Sequence, residues 1–366
     1  MQRAETLPLD DIRRLAVVRS LFPPTTLRRA VERLGFVQAD PIRAPARAQD
    51  LILRHRVKDY RAGDLERRYS ALGIAEDVFI NYGFVTPALQ QLMHPRPRGL
   101  RPVAGTKAAT SLLAFVRRRG EVHPRHLVEH FGASSVTNYW GGSSAATTHL
   151  LDKLHYLGLL RVTRREGGIR LYALHDHPAR PNDATARDAS LDALVDVVVN
   201  CYAPVPGSSL AMLVARLRYA VPQWRAHLRR ALTRAKARLS HARAGEVDWY
   251  WPADEPIPRA AAPPVVRFLA PFDPVVWDRA RFERLWGWVY RFEAYTPEAK
   301  RKLGYYALPL LWRDTVIGWG TFSIERGRLL SNIGYIASRP PKDPAFRGAL
   351  AEELARFGRF LGLPHD

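Results

Sequence analysis

The sequence predicts an α+β chain, predominantly helical, with a winged-helix (helix-turn-helix) unit in its middle and a β-rich, barrel-like domain at its C-terminal end. Three observations predict this. Apolar residues recur at helical spacing through the first two thirds of the 366 residues. Residues 107–174 run helix, helix, helix, basic hairpin, which is the winged-helix order. Beyond residue 263 the chain turns aromatic and alternating, as half-buried strands do. Polar or proline-rich breaks then divide it into units at 1–105, 106–178, 189–252 and 263–366.

In the first unit, Asp10 and Asp11 precede a periodic apolar stretch that Pro23-Pro24 ends. Thr25-Thr26 cap a second helix carrying Leu27, Ala30, Val31 and Leu34, and Gly35 supplies its stop. Residues 36–42 are apolar-alternating and closed by Pro41, so an extended segment is expected there. In the second unit, helices over 108–119 and 125–131 precede a third, capped by Ser143-Ser144 and bearing Leu150, Leu151, Leu154 and Leu157. Segments 159–163 and 169–174 then flank Arg164-Arg165-Glu166-Gly167-Gly168, a hairpin with glycines at its tip. A helical stretch starts near Leu191. In the last unit, segments 285–295, 304–312 and 315–324 are expected strands, 329–336 follows, and 343–361 is an amphipathic helix.

Lys plus Arg number 56 against 35 Asp plus Glu, a net charge of +21 that attracts polyanions, so double-stranded DNA is the expected partner. On the third helix, Thr147, Thr148 and Lys153 are expected to face a groove, and Arg164 and Arg165 of the hairpin to reach phosphates. A protein-docking hairpin that is merely solvated is the alternative. Residues 210–245 hold nine Lys or Arg and no acid; Arg230, Arg234 and Arg238 recur at four-residue steps as a positive stripe for the DNA backbone. Residues 79–120 are likewise free of acids, and the proline-stiffened stretch around Arg96 and Arg98 reads either as a finger laid along a groove or as a linker.

Several chemistries lack their residues. The histidines form no HExxH or Cys/His set, no GxxxxGK[ST] or GxGxxG phosphate loop occurs, and GxSxG is absent, so no cofactor and no metal are expected. The one cysteine, Cys201, sits in an apolar helical run, reads as a buried thiol, and fits a reducing, cytoplasmic compartment. No segment has the length of a membrane span or the pattern of a signal peptide, and no zipper or other dimer element stands out, so a monomer is expected. What remains is Gln38 and Asp40, which an extended backbone puts on one side, amide beside carboxylate.

Leu34-Gly35-Phe36-Val37-Gln38-Ala39-Asp40, followed by Ala46-Arg47-Ala48 and Leu51-Ile52-Leu53-Arg54-His55-Arg56, resembles the YcaQ-like winged-helix DNA glycosylases of crosslink repair, which remove alkylated bases. Trp140-Gly141-Gly142-Ser143 continues the resemblance. So do Ala270-Pro271-Phe272-Asp273-Pro274-Val275-Val276-Trp277-Asp278-Arg279, the stretch from Tyr295 to Arg301, and Gly304-Tyr305-Tyr306-Ala307-Leu308-Pro309. The resemblance implies tandem winged helices around a concave DNA-binding face, with Gln38 and Asp40 as the catalytic pair, Arg47 and Arg54 near the DNA, and alkylated or crosslinked duplex as substrate. Where members of that family carry Arg-Ala-His and Trp-x-His, this chain has Arg47-Ala48-Gln49 and Asn81-Tyr82-Gly83. In glycosidic cleavage positive charge builds on the sugar, so a carboxylate such as Asp40 can stabilise it and activate water, while Gln38 orients that water by accepting and donating hydrogen bonds. A non-catalytic winged-helix DNA binder or transcriptional regulator is the rival from another class.

Overall fold

The structure is a computed structural model that describes residues 5–97, 105–133, 135–137, 143–177, 183–253 and 255–364. It is 44% helical and 21% strand, a mixed α+β chain in which helix predominates.

Helix Leu9–Ser20 is followed by helix Leu27–Leu34, whose N-terminal amide at Arg29 is taken by the Thr26 hydroxyl and whose end is turned by Gly35. Strand Phe36–Gln38 pairs antiparallel with Tyr82–Val85, which pairs in turn with Ala75–Val78. Gly83 lies opposite Gln38, and a Cβ there would meet the Val37 carbonyl at 2.4 Å, so only glycine lets the two strands close at this point. Helix Ala48–Leu53 packs behind them.

The next elements are helix Lys107–Arg119, strand Glu121–Val122, helix Pro124–Phe131, helix Ala146–Tyr156 and the hairpin Leu160–Glu166/Ile169–Leu174. The helix expected to start at Ser143-Ser144 begins later, at Ala146: Ser143–Ala145 is a strand paired with Ser135–Thr137, so the backbone of both serines runs extended ahead of the helix.

Helix Ala184–Tyr202 begins at an Asp183 cap, earlier than the apolar pattern predicted, and is followed by Gly207–Arg216, Leu228–Arg238 and the hairpin Ser240–Ala244/Val247–Trp251. The N-terminal strand Glu5–Thr6 joins this sheet in parallel beside Ser240–Ala244. At the C-terminal end, strands Val266–Phe268, Leu308–Trp312, Thr315–Glu325 and Arg328–Tyr335 form a curled half-barrel sheet in consecutive order, and helix Pro344–Leu361 lies against its first strand.

The strand expected over 285–295 is absent. Asp278 caps helix Arg279–Trp286, accepting from the Arg281 amide at 3.1 Å, and Gly287 ends it at φ +67°. The aromatic residues that suggested a strand are core packing instead, with Phe282 against Trp286 and Tyr290, and Trp288 stacked on Trp319.

One core joins Leu51 and Phe84 of the N-terminal elements to Leu112, Leu151 and Tyr172, and to Phe268 and Phe357 of the C-terminal block. A second joins Leu15 and Phe79 to Val198, Leu213 and Trp249, and a third joins Val17 and Leu21 to Val276 and Leu311. The N-terminal elements therefore reach all three cores, which is what brings distant segments to one place.

Candidate active site

Strand Phe36–Gln38 is buried on both faces, and its pairing runs one residue further, the Ala39 amide donating to the Tyr82 carbonyl at 3.0 Å. Asp40 then turns the chain: its Oδ1 accepts from the Ile42 amide at 2.9 Å, the local bond that carboxylates make in turns. Gln49, the first-turn residue of helix Ala48–Leu53, faces the Asp40 amide with its Oε1 at 3.4 Å.

Asp40 lines a cleft of about 530 Å³ with Arg47, Gln49 and Tyr82, closed on its far side by Arg165, Gly168 and Arg170 of the hairpin. The hairpin is fastened there. Arg165 donates to both oxygens of Glu76, at 2.8 and 2.6 Å, and Arg170 lies 5.1 Å over the Tyr82 ring and pairs with Asp152 at 2.9 Å. At the tip, Gly168 comes close to the Arg47 guanidinium and has φ +84°, a backbone conformation that favours glycine.

The carboxylates around the cleft divide sharply. Burial works to raise Glu76, but Arg165 and the Tyr82 hydroxyl outweigh it and hold Glu76 below the usual range. Arg47 is ion-paired with Glu66, which also accepts from Gln49 Nε2 at 3.1 Å. Asp40 is the exception: among the described residues no cation pairs with it and nothing donates to its Oδ2. Burial raises its pKa, opposed only by the Ile42 amide. Its charge also acts on the phenols of Tyr295 and Tyr306, both raised first by burial, so the C-terminal block stands beside this carboxylate.

Gln38 is 8% exposed and does not line the cleft as Asp40 does. Its Oε1 accepts from Asn81 Nδ2 at 2.9 Å and from the indole Nε1 of Trp277 at 2.8 Å. Asn81 accepts in turn from Arg216 Nη2 at 2.9 Å, and the Arg216 guanidinium sits 5.3 Å over the Trp277 ring. The expectation that Gln38 both accepts from and donates to a water is thereby corrected. An amide oxygen has two lone pairs, and both are taken.

Several of the arginines expected on DNA are spent inside the protein. Arg54 is 4% exposed, ion-paired with Glu353 and 4.0 Å over Phe357; no phosphate can reach it. Arg96, 2% exposed, pairs with Asp77 at 3.0 Å and donates to the carbonyls of Ala220, Tyr156 and Val78, tying segments together where a finger was one reading. Arg98 lies outside the described residues.

In the expected stripe only Arg230 stands exposed. Arg234 donates to both Asp192 oxygens at 3.0 and 2.9 Å, and Arg238 to Asp196 at 2.5 Å, so acids of helix Ala184–Tyr202 neutralise what the local sequence left unpaired. Arg165 is a wall of the cleft, and Arg164, half exposed, pairs with Glu121 at 2.9 Å. Thr147 lines an apolar groove with Lys107, Leu112 and Phe131, while Thr148 and Lys153 are half-buried.

Sequence reasoning missed Arg216, and it quoted Asn81, Tyr82 and Trp277 without a role. The signal for Trp277 lay in its place four residues beyond Asp273, inside the block that carried the resemblance. Cys201 is buried, and burial pushes its thiol up to about 12, so it is no nucleophile at neutral pH. Among the described residues no three metal-ligating side chains converge, and no helix is long and apolar enough to cross a membrane.

The family model for the DNA glycosylase AlkZ-like proteins matches residues 31–360, nearly the whole chain and all of the site just described. The chain belongs to the AlkZ-like DNA glycosylase family. DNA is therefore its partner and DNA repair its setting, and the resemblance carried by the residues around Gln38 and Asp273 holds. This AlkZ-like chain is also similar in fold to the DNA glycosylase AlkZ of Streptomyces sahachiroi. The TM-score is 0.60 at 14% identity, over 98% of each chain.

Proposed function

We propose that this AlkZ-like chain hydrolyses the N-glycosidic bond of alkylated purines in duplex DNA, as a monofunctional glycosylase with Asp40 as its base. The observation that carries this is the state of Asp40: half-buried, free of cations among the described residues, one oxygen unengaged, and raised by burial towards the range in which a base works. An attacking water gives its proton to Asp40 as its oxygen bonds to C1′. The C1′–N bond breaks with its electron pair leaving on the purine, and the carboxylate offsets the charge that develops on the sugar. A purine made cationic by alkylation leaves without a strong general acid. The water is oriented by Gln38.

The same reading takes the units at 1–105, 106–178 and 189–252 as winged-helix-like and the block at 263–366 as their β-rich partner. It also takes the protein to act as a cytoplasmic monomer on nucleoid DNA, and interstrand crosslinks as substrates alongside monoadducts. Arg230, exposed and with no carboxylate partner among the described residues, is its candidate phosphate contact, whereas Arg164, also exposed, would have to leave Glu121 to serve as one.

The test is release of N7-alkylguanine from alkylated duplex by the wild type and by Asp40→Asn, beside a binding assay on the same DNA. Release by the wild type alone, with equal binding, supports the reading. Tight binding with no release from either overturns it in favour of a non-catalytic DNA binder.

A further inference from the structure

The hydrogen bonds around Gln38 run in one direction, and that direction is fixed at both ends by groups that can only donate. Trp277 Nε1, an indole N–H, faces the Gln38 side chain at 2.8 Å, so the atom it meets is the carbonyl oxygen. Arg216, a guanidinium, faces Asn81 at 2.9 Å, so the atom it meets there is Oδ1, and the Asn81 NH2 must point to Gln38 Oε1, as it does at 2.9 Å. Neither amide can turn over without setting donor against donor. With both lone pairs of Oε1 occupied, Gln38 keeps only its Nε2 hydrogens, and no described residue accepts them. The guanidinium over the indole face also draws electron density from that ring, which strengthens its N–H as a donor.

We infer that Asn81, Trp277 and Arg216 are positioning residues that hold Gln38 as a donor of hydrogen bonds and never an acceptor, so that it grips the attacking water by its oxygen while Asp40 receives the proton. This rests on the proposed hydrolytic reading of Gln38 and Asp40 and deepens it. The division of labour follows from donor count. A water gripped by Nε2–H keeps both its protons free, so one is directed to the carboxylate, whereas a Gln38 able to accept would compete with Asp40 for it. The clamp is drawn from three distant parts of the chain: the turn at Asn81, the last residue of helix Gly207–Arg216 and the C-terminal block. It therefore assembles only in the fully folded protein.

Two variants remove one donor each while leaving the packing nearly intact. Trp277→Phe keeps an aromatic ring, and Asn81→Asp still accepts from Arg216 but can no longer donate to Gln38. Each is expected to lower kcat for base release about tenfold, with KM for DNA within twofold. In a Gln38→Ala background the same changes are expected to have no further effect, because the residue they position is gone. A loss of equal size in both backgrounds means a merely structural role and overturns the inference.

A readout without turnover accompanies this: the 15N-bound indole proton of Trp277 is expected to shift and to exchange faster in Gln38→Ala than in the wild type. An indole signal unmoved by Gln38→Ala overturns the clamp whatever the kinetics show. A wild type that releases no base overturns the hydrolytic reading, and with it the role assigned to the clamp, even where the indole signal moves.

Discussion

Asp273→Asn tests how the C-terminal block is held against the rest of the molecule. Asp273 and Arg56 are both fully buried and meet side by side, Nη1 to Oδ2 at 2.7 Å and Nη2 to Oδ1 at 2.9 Å. Arg56 also donates to the carbonyls of Ser20 at 2.8 Å and Ile52 at 2.7 Å, so one guanidinium joins the first helix, helix Ala48–Leu53 and the block that carries Trp277. Asparagine keeps the shape but turns an NH2 against one arm of the guanidinium and leaves its charge buried and uncompensated. Breaking such a pair from one side costs about 3–5 kcal/mol. With an unfolding entropy of about 2.1 cal/mol/K per residue over 366 residues, that is a fall in Tm of about 4–6.5 °C. Scanning calorimetry at pH 7 reads it. The double variant Arg56→Met/Asp273→Leu removes both charges and is expected to regain most of the loss. A single variant within about 1 °C of the wild type, or a double variant no better than the single, would refute the reasoning.

Three further outcomes are expected. Because burial raises the Asp40 pKa, the acid limb of kcat/KM for base release should lie above the ordinary aspartate value of about 3.9, and Asp40→Asn should abolish activity rather than move that limb. Burial lowers His94 to about 4 against the pull of Asp77, so between about pH 4 and 6.5 the unfolded chain holds a proton that the native state lacks, and stability falls as pH drops through that window. Asp50, raised to about 6 by burial, works the opposite way over much of the same range, so the comparison has to be with His94→Gln. That variant should lose about 2 kcal/mol less than the wild type between pH 7 and 4.5 in denaturant titrations, and an identical loss would count against a buried neutral His94. Finally, Arg230→Ala should lower the salt slope of DNA binding by about one, whereas Arg234→Ala and Arg238→Ala, whose charges are matched by Asp192 and Asp196, should change it little.

Local signals were legible where local physics decides. The Thr26 cap, the Gly35 stop, the extended run into Gln38 and the glycine tip at Gly167-Gly168 each depend on a few neighbouring residues, and each is found where the pattern put it. The same method failed at 285–295, where aromatic residues at irregular spacing resemble a strand but pack as a capped helix and a loop. It also failed at Ser143-Ser144, because a good cap sequence does not reveal that another strand pairs with its backbone and that the helix begins later.

By itself the sequence determined the family and the basic character that draws the chain to DNA, and it singled out the amide of Gln38 and the carboxylate of Asp40 as the residues to test. Only the tertiary structure decided which charges are free. An arginine in the sequence carries no mark of whether it meets a phosphate or a carboxylate far along the chain. Arg54 meets Glu353, Arg96 meets Asp77, and Arg234 meets Asp192, each through contacts that no local pattern contains. The orientation of Gln38 belongs to the same class. It depends on donors from Asn81 and Trp277, and hydrogen-bond direction is a property of atoms brought together by folding, not of the order in which residues are joined.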